Sequence, residues 1–251
     1  MAAKKPTKEA LVTYLVRNGL SVDRESAEKE ILAGLIRVDD SIVDKVGAVV
    51  RSTSRIEKIG VKRFVSRAAL KLEAAVDSFA IPVVGSVCAD VGACTGGFTE
   101  VLLQNGATKV FAIDVGYGNL DWKIRSDSRV IVMERTNARY IDSLPEPVKI
   151  VVIDVSFISL RTILPRVVAW MEPGGHVVAL IKPQFEASRE EVSFGGGVIS
   201  DPTIHERVKR EVSDFLPSVG LCKQGVISSP ILGAEGNKEF VLWATLPSGE
   251  A

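Results

Sequence analysis

The chain has 251 residues, 46% hydrophobic and 25% charged, which is enough apolar material for an ordinary core in one large domain or two unequal ones. Its net charge is zero, yet it carries 15 basic and 10 acidic residues up to Glu73 and 16 and 21 beyond, so a polyanionic partner is expected at the N-terminal end. Three scattered cysteines, Cys88, Cys94 and Cys222, and only His176 and His205 argue against a disulfide framework, a histidine-based zinc site and a Ser-His-Asp triad.

The cysteine usage fits a reducing cytoplasm, and no metal is expected. Met1 to Lys8 is basic, but the apolar cluster after it is broken by Thr13 and Arg17, and no run reaches the ~18 residues of a membrane span. Neither a signal peptide nor a transmembrane helix is expected.

Leu11, Tyr14, Leu15 and Asn18 fall on one face of a short predicted helix, 10–18, stopped by Gly19. Asp23 reads as the N-cap of a second helix, with Ala27, Ile31 and Leu35 along one face and Gly34 as its stop. Short β-like pieces follow at 36–38, 41–43, 49–50 and 56–59, broken by Asp39-Asp40 and Gly47. A helix then opens at Val65, carries Lys71 and runs to about Phe79.

The central stretch, 87–98, reads Val-Cys-Ala-Asp-Val-Gly-Ala-Cys-Thr-Gly-Gly-Phe. An apolar strand ends on Asp90, a turn carries Gly92, Gly96 and Gly97, and a helix is predicted from Thr99 to Asn105. Open α/β sheets use this arrangement to bring backbone close to a nucleotide-like ligand. No Lys follows Gly97, which argues against a triphosphate cradle, and the spacing misses G-x-G-x-x-G by one position. The next strand, 109–115, carries Asp114, 24 residues after Asp90, close to the roughly 20 at which a second acid meets a ribose hydroxyl. A cofactor with a ribose and no phosphates suits that pattern, and S-adenosylmethionine is one.

Strands are predicted at 129–133, followed by Asn137, and at 149–155, bearing Asp154; a helix covers 160–171 and a strand covers 176–182, ending at Lys182. The polar stretch 188–201, with Gly195-Gly196-Gly197, reads as a mobile loop over the site. Asp201 or Thr203 caps a helix to about Leu216, and two apolar segments, 225–231 and 240–246, form an antiparallel hairpin. The alternation predicts an α/β fold, a mainly parallel sheet covered on both faces. Asp90, Asp114, Asp154 and Lys182 then reach the C-terminal strand edges, where ligand groups gather.

Residues 21–47, with Arg24-Glu25-Ser26-Ala27, Ile31 to Val38 and Val43 to Gly47, resemble the S-four-type RNA-binding domain. That resemblance implies a small α+β module over 1–60, a linker at 61–65, and Arg24, Lys29, Arg37 and Lys45 facing RNA phosphate. The chain departs from the pattern at Glu9-Ala10-Leu11, where Arg-Leu-Asp is usual, and at Asp39-Asp40, where an Asn-Gly turn is usual.

Ser66-Arg67 with Lys71, the run 90–99, Asp154-Val155-Ser156-Phe157-Ile158-Ser159-Leu160, Ile181-Lys182-Pro183-Gln184-Phe185-Glu186 and Gly236-Asn237-Lys238-Glu239-Phe240 together resemble the TlyA family. Its members join an S-four-type domain to an FtsJ-like ribosomal RNA 2′-O-methyltransferase domain. The resemblance implies a Rossmann-like class I methyltransferase fold over 66–251, S-adenosylmethionine as cofactor, and ribose methylation, of cytidine, in ribosomal RNA or subunits. It puts a catalytic Lys-Asp-Lys-Glu tetrad on Lys71, Asp154, Lys182 and Glu239. It also puts cofactor contacts at Asp90, Gly92, Cys94, Thr95, Gly96, Gly97, Phe98, Asp114, Asn137 and Asp154, and an RNA contact at Arg67. Ala68-Ala69 stands where Gly-Gly is usual, and Cys94 where Ser is usual. Two other readings stay open: a membrane-lytic protein, since the family carries a haemolysin label, and a non-catalytic RNA-binding assembly factor.

Overall fold

The computed structural model describes residues 8–32, 35–39, 41–58 and 64–249, and the chain divides into two units, Met1–Arg63 and Phe64–Ala251. The predicted stop at Gly34, Asp40 of the acidic turn, Ile59, and residues 61–63 of the linker lie outside the described residues.

In the first unit the order is β1 (Lys8–Ala10), α1 (Leu11–Arg17), α2 (Arg24–Leu32), β2 (Ile36–Val38), β3 (Ser41–Ile42), β4 (Val49–Arg51) and β5 (Ile56–Lys58). β1 pairs antiparallel with β4, and β2 lies between β3 and β5, antiparallel to both. The predicted apolar faces meet: Leu11, Leu15, Ala27 and Ile31 are fully buried. Asp23 caps α2 as predicted, its Oδ1 accepting the Ser26 N–H at 2.8 Å. β1 has no periodicity of its own and exists through its partner strand. Asp39 bends the chain at φ 46°, and its carboxylate accepts from Ser54 Oγ at 2.8 Å and the Arg55 N–H at 2.9 Å, so this acid is part of the turn.

The second unit runs α3 (Ala69–Phe79), β6 (Val87–Val91), α4 (Gly97–Gln104), β7 (Lys109–Ile113), α5 (Trp122–Arg125), β8 (Val130–Met133), β9 (Val148–Ile153), α6 (Leu160–Val168), β10 (Met171–Ile181), α7 (Pro183–Glu186), α8 (Arg189–Phe194), α9 (Pro202–Phe215), β11 (Cys222–Ser228) and β12 (Phe240–Thr245). One sheet takes the order β11-β12-β10-β9-β6-β7-β8, parallel from β10 to β8, with β12 antiparallel to both β10 and β11. The mainly parallel sheet and the closing hairpin agree with the sequence reading. Side chains alternate across it: Ala89, Val91, Val151 and Ile153 face one core with α6 and α9, while Cys88, Val110, Ile150 and Val152 face another with α3 and α4. Burial on both faces explains why these strands are near-continuous apolar runs.

Several boundaries differ from expectation. α3 begins at Ala69, because Ser66–Ala68 form a turn, and α6 ends at Val168. β10 starts at Met171 and absorbs Pro173-Gly174-Gly175 as a register shift between Met171 and His176. The segment 188–201, expected as a mobile loop, contains a short helix, α8, started by a reciprocal capping box between Ser188 and Glu191. Arg207 of α9 reaches back to Glu191 at 2.6 Å and holds α8 against α9.

Lys182 sits at the junction of β10 and α7, and Glu186 fastens that junction. Its carboxylate, 7% exposed, accepts from Ser159 Oγ at 2.6 Å and from the Leu160 N–H at 2.7 Å, closing the N-terminus of α6. Burial pushes its protonation equilibrium upward against those bonds. Glu186→Ala leaves the buried Leu160 N–H unpaired and removes the acceptor of the Ser159 hydroxyl, so denaturant unfolding should show a loss on the order of 1–3 kcal/mol, with Glu186→Gln losing less.

Candidate active site

β6 is the first strand of the sheet, and the chain leaves it toward β7 on one side and later returns to β9 on the other. The C-terminal ends of β6 and β9 therefore border the crevice of a topological switch point. The Asp154 N–H donates to Val91 O at 2.9 Å, carrying the ladder past the end of β9. Gly92 follows β6 at φ 89°, and a Cβ there would lie 2.3 Å from the Asp154 carbonyl oxygen. Only glycine fits that approach.

The predicted tetrad converges. Lys71, Asp154, Lys182 and Glu239 all line one cavity of about 420 Å³, together with Ser66, Gly92 and Phe185. Lys182 Nζ lies 2.6 Å from Asp154 Oδ1 and also donates to Ser156 Oγ at 3.1 Å. Lys71 Nζ donates to Glu239 Oε2 at 2.5 Å. Lys71, Lys182 and Glu239 are 7%, 8% and 2% exposed, so both pairs are largely withdrawn from water. Breaking such a pair by removing one partner strands a charge, at a cost of about 3–5 kcal/mol.

A second cavity of about 450 Å³ adjoins the first and shares Gly92, Cys94, Asp154, Ser156 and Phe157 with it; Asp114 and Asn137 also line it. The Asp114 carboxylate accepts the Cys94 N–H at 2.9 Å and the Gly116 N–H at 2.6 Å, which fixes the glycine turn. A carboxylate offers about four acceptor sites, so capacity remains for hydroxyl groups. Asn137 accepts the Arg139 N–H at 3.1 Å. Thr95, Gly97 and Phe98 line the tetrad cavity, and a Cβ on Gly97 would press on Ser66 at 2.9 Å.

Two residues expected at the cofactor lie outside both cavities. Asp90 lines neither cavity; it is fully buried behind the turn, with Oδ2 accepting from Thr99 Oγ1 at 2.6 Å and Oδ1 without a partner. Gly96 also lines neither, and it is glycine because a Cβ would meet Leu120 at 2.9 Å and Ile124 at 3.0 Å. Of the cations expected to face RNA, Arg24 and Lys29 are exposed and Arg37 is half-buried, and Arg24 is paired with Glu28 at 2.9 Å, Lys29 with Glu25 at 2.7 Å, and Arg37 with Glu57 at 3.9 Å. Exposed pairs of this kind are worth only ~0–1 kcal/mol. Lys45 and Arg67 are exposed. Ser156, Phe157, Gln184 and Phe185 were not singled out as site residues from sequence, although they stand within two or three residues of Asp154 and Lys182.

The family match over 64–246 makes this sheet a Rossmann-like methyltransferase fold, with the two crevices at its switch point. The chain belongs to the FtsJ-like methyltransferase family, whose profile matches residues 64–246, and to its TlyA group. It is 43% identical over 233 residues to the 16S/23S rRNA (cytidine-2′-O)-methyltransferase TlyA of Mycobacterium tuberculosis, covering 91% of this chain and 87% of that one. It is 38% identical to hemolysin A of Brachyspira hyodysenteriae, covering 91% and 96%. A solved structure from Streptococcus thermophilus with a provisional hemolysin label matches at TM-score 0.74 and 40% identity, over 97% of this chain and 90% of that one.

The cofactor of the family is S-adenosylmethionine, and the residues present fit it. The Asp114-lined cavity has the size of a pocket for a nucleoside-like ligand. Gly92, Cys94, Asp114 and Asn137 would hold the adenosine end, with Asp154 between it and the tetrad.

Burial, and then the neighbouring Asp154 and Asp114, push the Asp90 carboxyl up to about 7. Its folded pKa thus lies above its unfolded one, so the stability it contributes is full below about pH 4 and is lost as pH rises through about 7. Asp90→Asn should remove that decline. Relative to the parent, the variant should gain roughly 4 kcal/mol between pH 4 and 8, read from paired denaturant titrations.

Proposed function

We propose that the chain methylates the 2′-hydroxyl of a ribose, that of cytidine, in ribosomal RNA, using S-adenosylmethionine. The observation that carries this reading is the meeting of Lys71–Glu239 and Lys182–Asp154 in one cavity beside the glycine turn. The names of its relatives agree with it. When bound, S-adenosylmethionine supplies an electrophilic methyl group. A sugar hydroxyl is a poor nucleophile near neutral pH, so its proton must leave as it attacks. Lys182 takes that proton, and Asp154 and Ser156 fix the direction of its Nζ. Lys71, directed by its bond to Glu239, donates to the ribose oxygen and stabilises the charge developing on it.

The N-terminal unit supplies the RNA grip through exposed Arg24, Lys29 and Lys45 and half-buried Arg37; the acidic partners of Arg24, Lys29 and Arg37 give way to phosphate. Arg67, beside the cavity residues Ser66 and Ala68, adds a contact near the target. The setting is the cytoplasm, with ribosomal subunits as substrate. Among the described residues no helix is long and apolar enough to cross a membrane, and nothing in the site requires a lytic activity.

The test is methyl transfer to isolated ribosomal subunits, with the modified nucleotide mapped. Lys182→Ala should lower kcat by about 10²–10⁴-fold while S-adenosylmethionine binding, read by calorimetry, persists. Unchanged turnover in that variant overturns the role of Lys182. A parent protein that binds the cofactor but modifies no subunit overturns the substrate, and one that binds none is a non-catalytic factor.

A further inference from the structure

Glu239 precedes β12, and its side chain is 2% exposed, yet its backbone neighbours do not explain where its carboxylate points. That carboxylate lies directly on Gly233. A Cβ at Gly233 would fall 2.0 Å from Glu239 Oε1 and 2.4 Å from Cδ, so the missing side chain is the space the carboxylate occupies. Nor is Gly233 held by a strand. Its N–H donates to Asn237 O at 2.8 Å, closing a five-residue turn in which Glu235 and Gly236 take φ of 56° and 87°.

Asn237 then ties this turn to a distant segment. Its side chain is 2% exposed; Oδ1 accepts the Ile199 N–H at 3.0 Å and Nδ2 donates to Gly197 O at 3.1 Å. Ile199 is itself fixed, because His205 Nε2 donates to its carbonyl at 2.8 Å and the imidazole packs edge-on against Phe240 at 5.5 Å. The stretch after α8 is therefore an anchor for the turn that carries Glu239.

We propose that Gly233 and Asn237 are positioning residues for Glu239, and through it for Lys71; the assignment rests on the roles given above to that ion pair. Gly233 acts by leaving room, and Asn237 by fixing the turn in place. Displacing the carboxylate by about 1 Å frees the Lys71 ammonium from its direction without touching the cofactor crevice, and misplacements of that size cost on the order of 10²-fold in rate.

Full-length Gly233→Ala should lose about 100-fold in kcat on ribosomal subunits, with KM and the calorimetric affinity for S-adenosylmethionine unchanged. Asn237→Ala should fall in the same direction but less, and Asn237→Asp, which keeps the acceptor toward Ile199, should recover part of the loss. In a Glu239→Ala background, Gly233→Ala should cost nothing further. Equal fold-losses in both backgrounds would mean general structural damage and would overturn the assignment. Heteronuclear NMR of the lysine ammonium groups gives a readout apart from activity: the Lys71 signal should move in Gly233→Ala as it does in Glu239→Ala. An unmoved signal overturns the positioning role. Inactivity of the parent on subunits overturns the enzymatic reading instead, and the NMR comparison still decides whether Gly233 positions Glu239 and Lys71.

Discussion

The close approach of β6 and β9 is the constraint on which the site depends. These strands are far apart in the chain but adjacent in the sheet, and Gly92 lets the turn after one pass over the carbonyl of Asp154 after the other. Gly92 and Ala93 both donate to Ile113 O, at 2.9 and 3.1 Å, so the end of β7 is drawn into the same knot. A side chain at Gly92 would push Asp154 away from Lys182 and open the floor shared by the two crevices. Asp90, buried beneath the turn and bonded to Thr99 of α4, supports it from below.

The tetrad is two ion pairs built differently. Asp154 and Lys182 are delivered by the ends of neighbouring parallel strands, so their register is set by the sheet ladder itself, with Val178 opposite Val152 and Ala179 opposite Ile153. Lys71 comes from a helix packed on one face, and Glu239 from the connection into an antiparallel strand. Nothing in a parallel ladder aligns those two. Their meeting requires separate fittings, which is why the connection before β12 is dense in glycine, positive φ angles and a buried amide. Taking these charges out of water is costly, and pairing with good geometry offsets much of that cost. The arrangement is better understood as preorganisation than as a source of stability.

The apolar runs of the second unit were legible because both faces of a parallel sheet are covered, which leaves a strong signal with glycine punctuation. β1 and α5 were not, since Lys8–Ala10 and Trp122–Arg125 are short and tied to partners remote in sequence, and α8 went unread although its Ser188…Glu191 capping box is a local signal. The segment 188–201 looked like a free loop because its glycines and charges were visible. Its capping box, the Arg207 pair and the Asn237 bonds to Gly197 and Ile199 are what hold it.

The sequence by itself determined the alternation of strands and helices, the glycine turn, and the resemblance that picked out Lys71, Asp154, Lys182 and Glu239, because these depend on local periodicity and ordered motifs. Tertiary structure decided which strand lies beside which, that Asp90 and Gly96 serve the turn and its packing instead of lining the crevice, and that Glu239 rests on Gly233. Those outcomes turn on distances of a few ångströms between residues tens to hundreds of positions apart. Spacing along a chain carries no record of such distances until the sheet has closed.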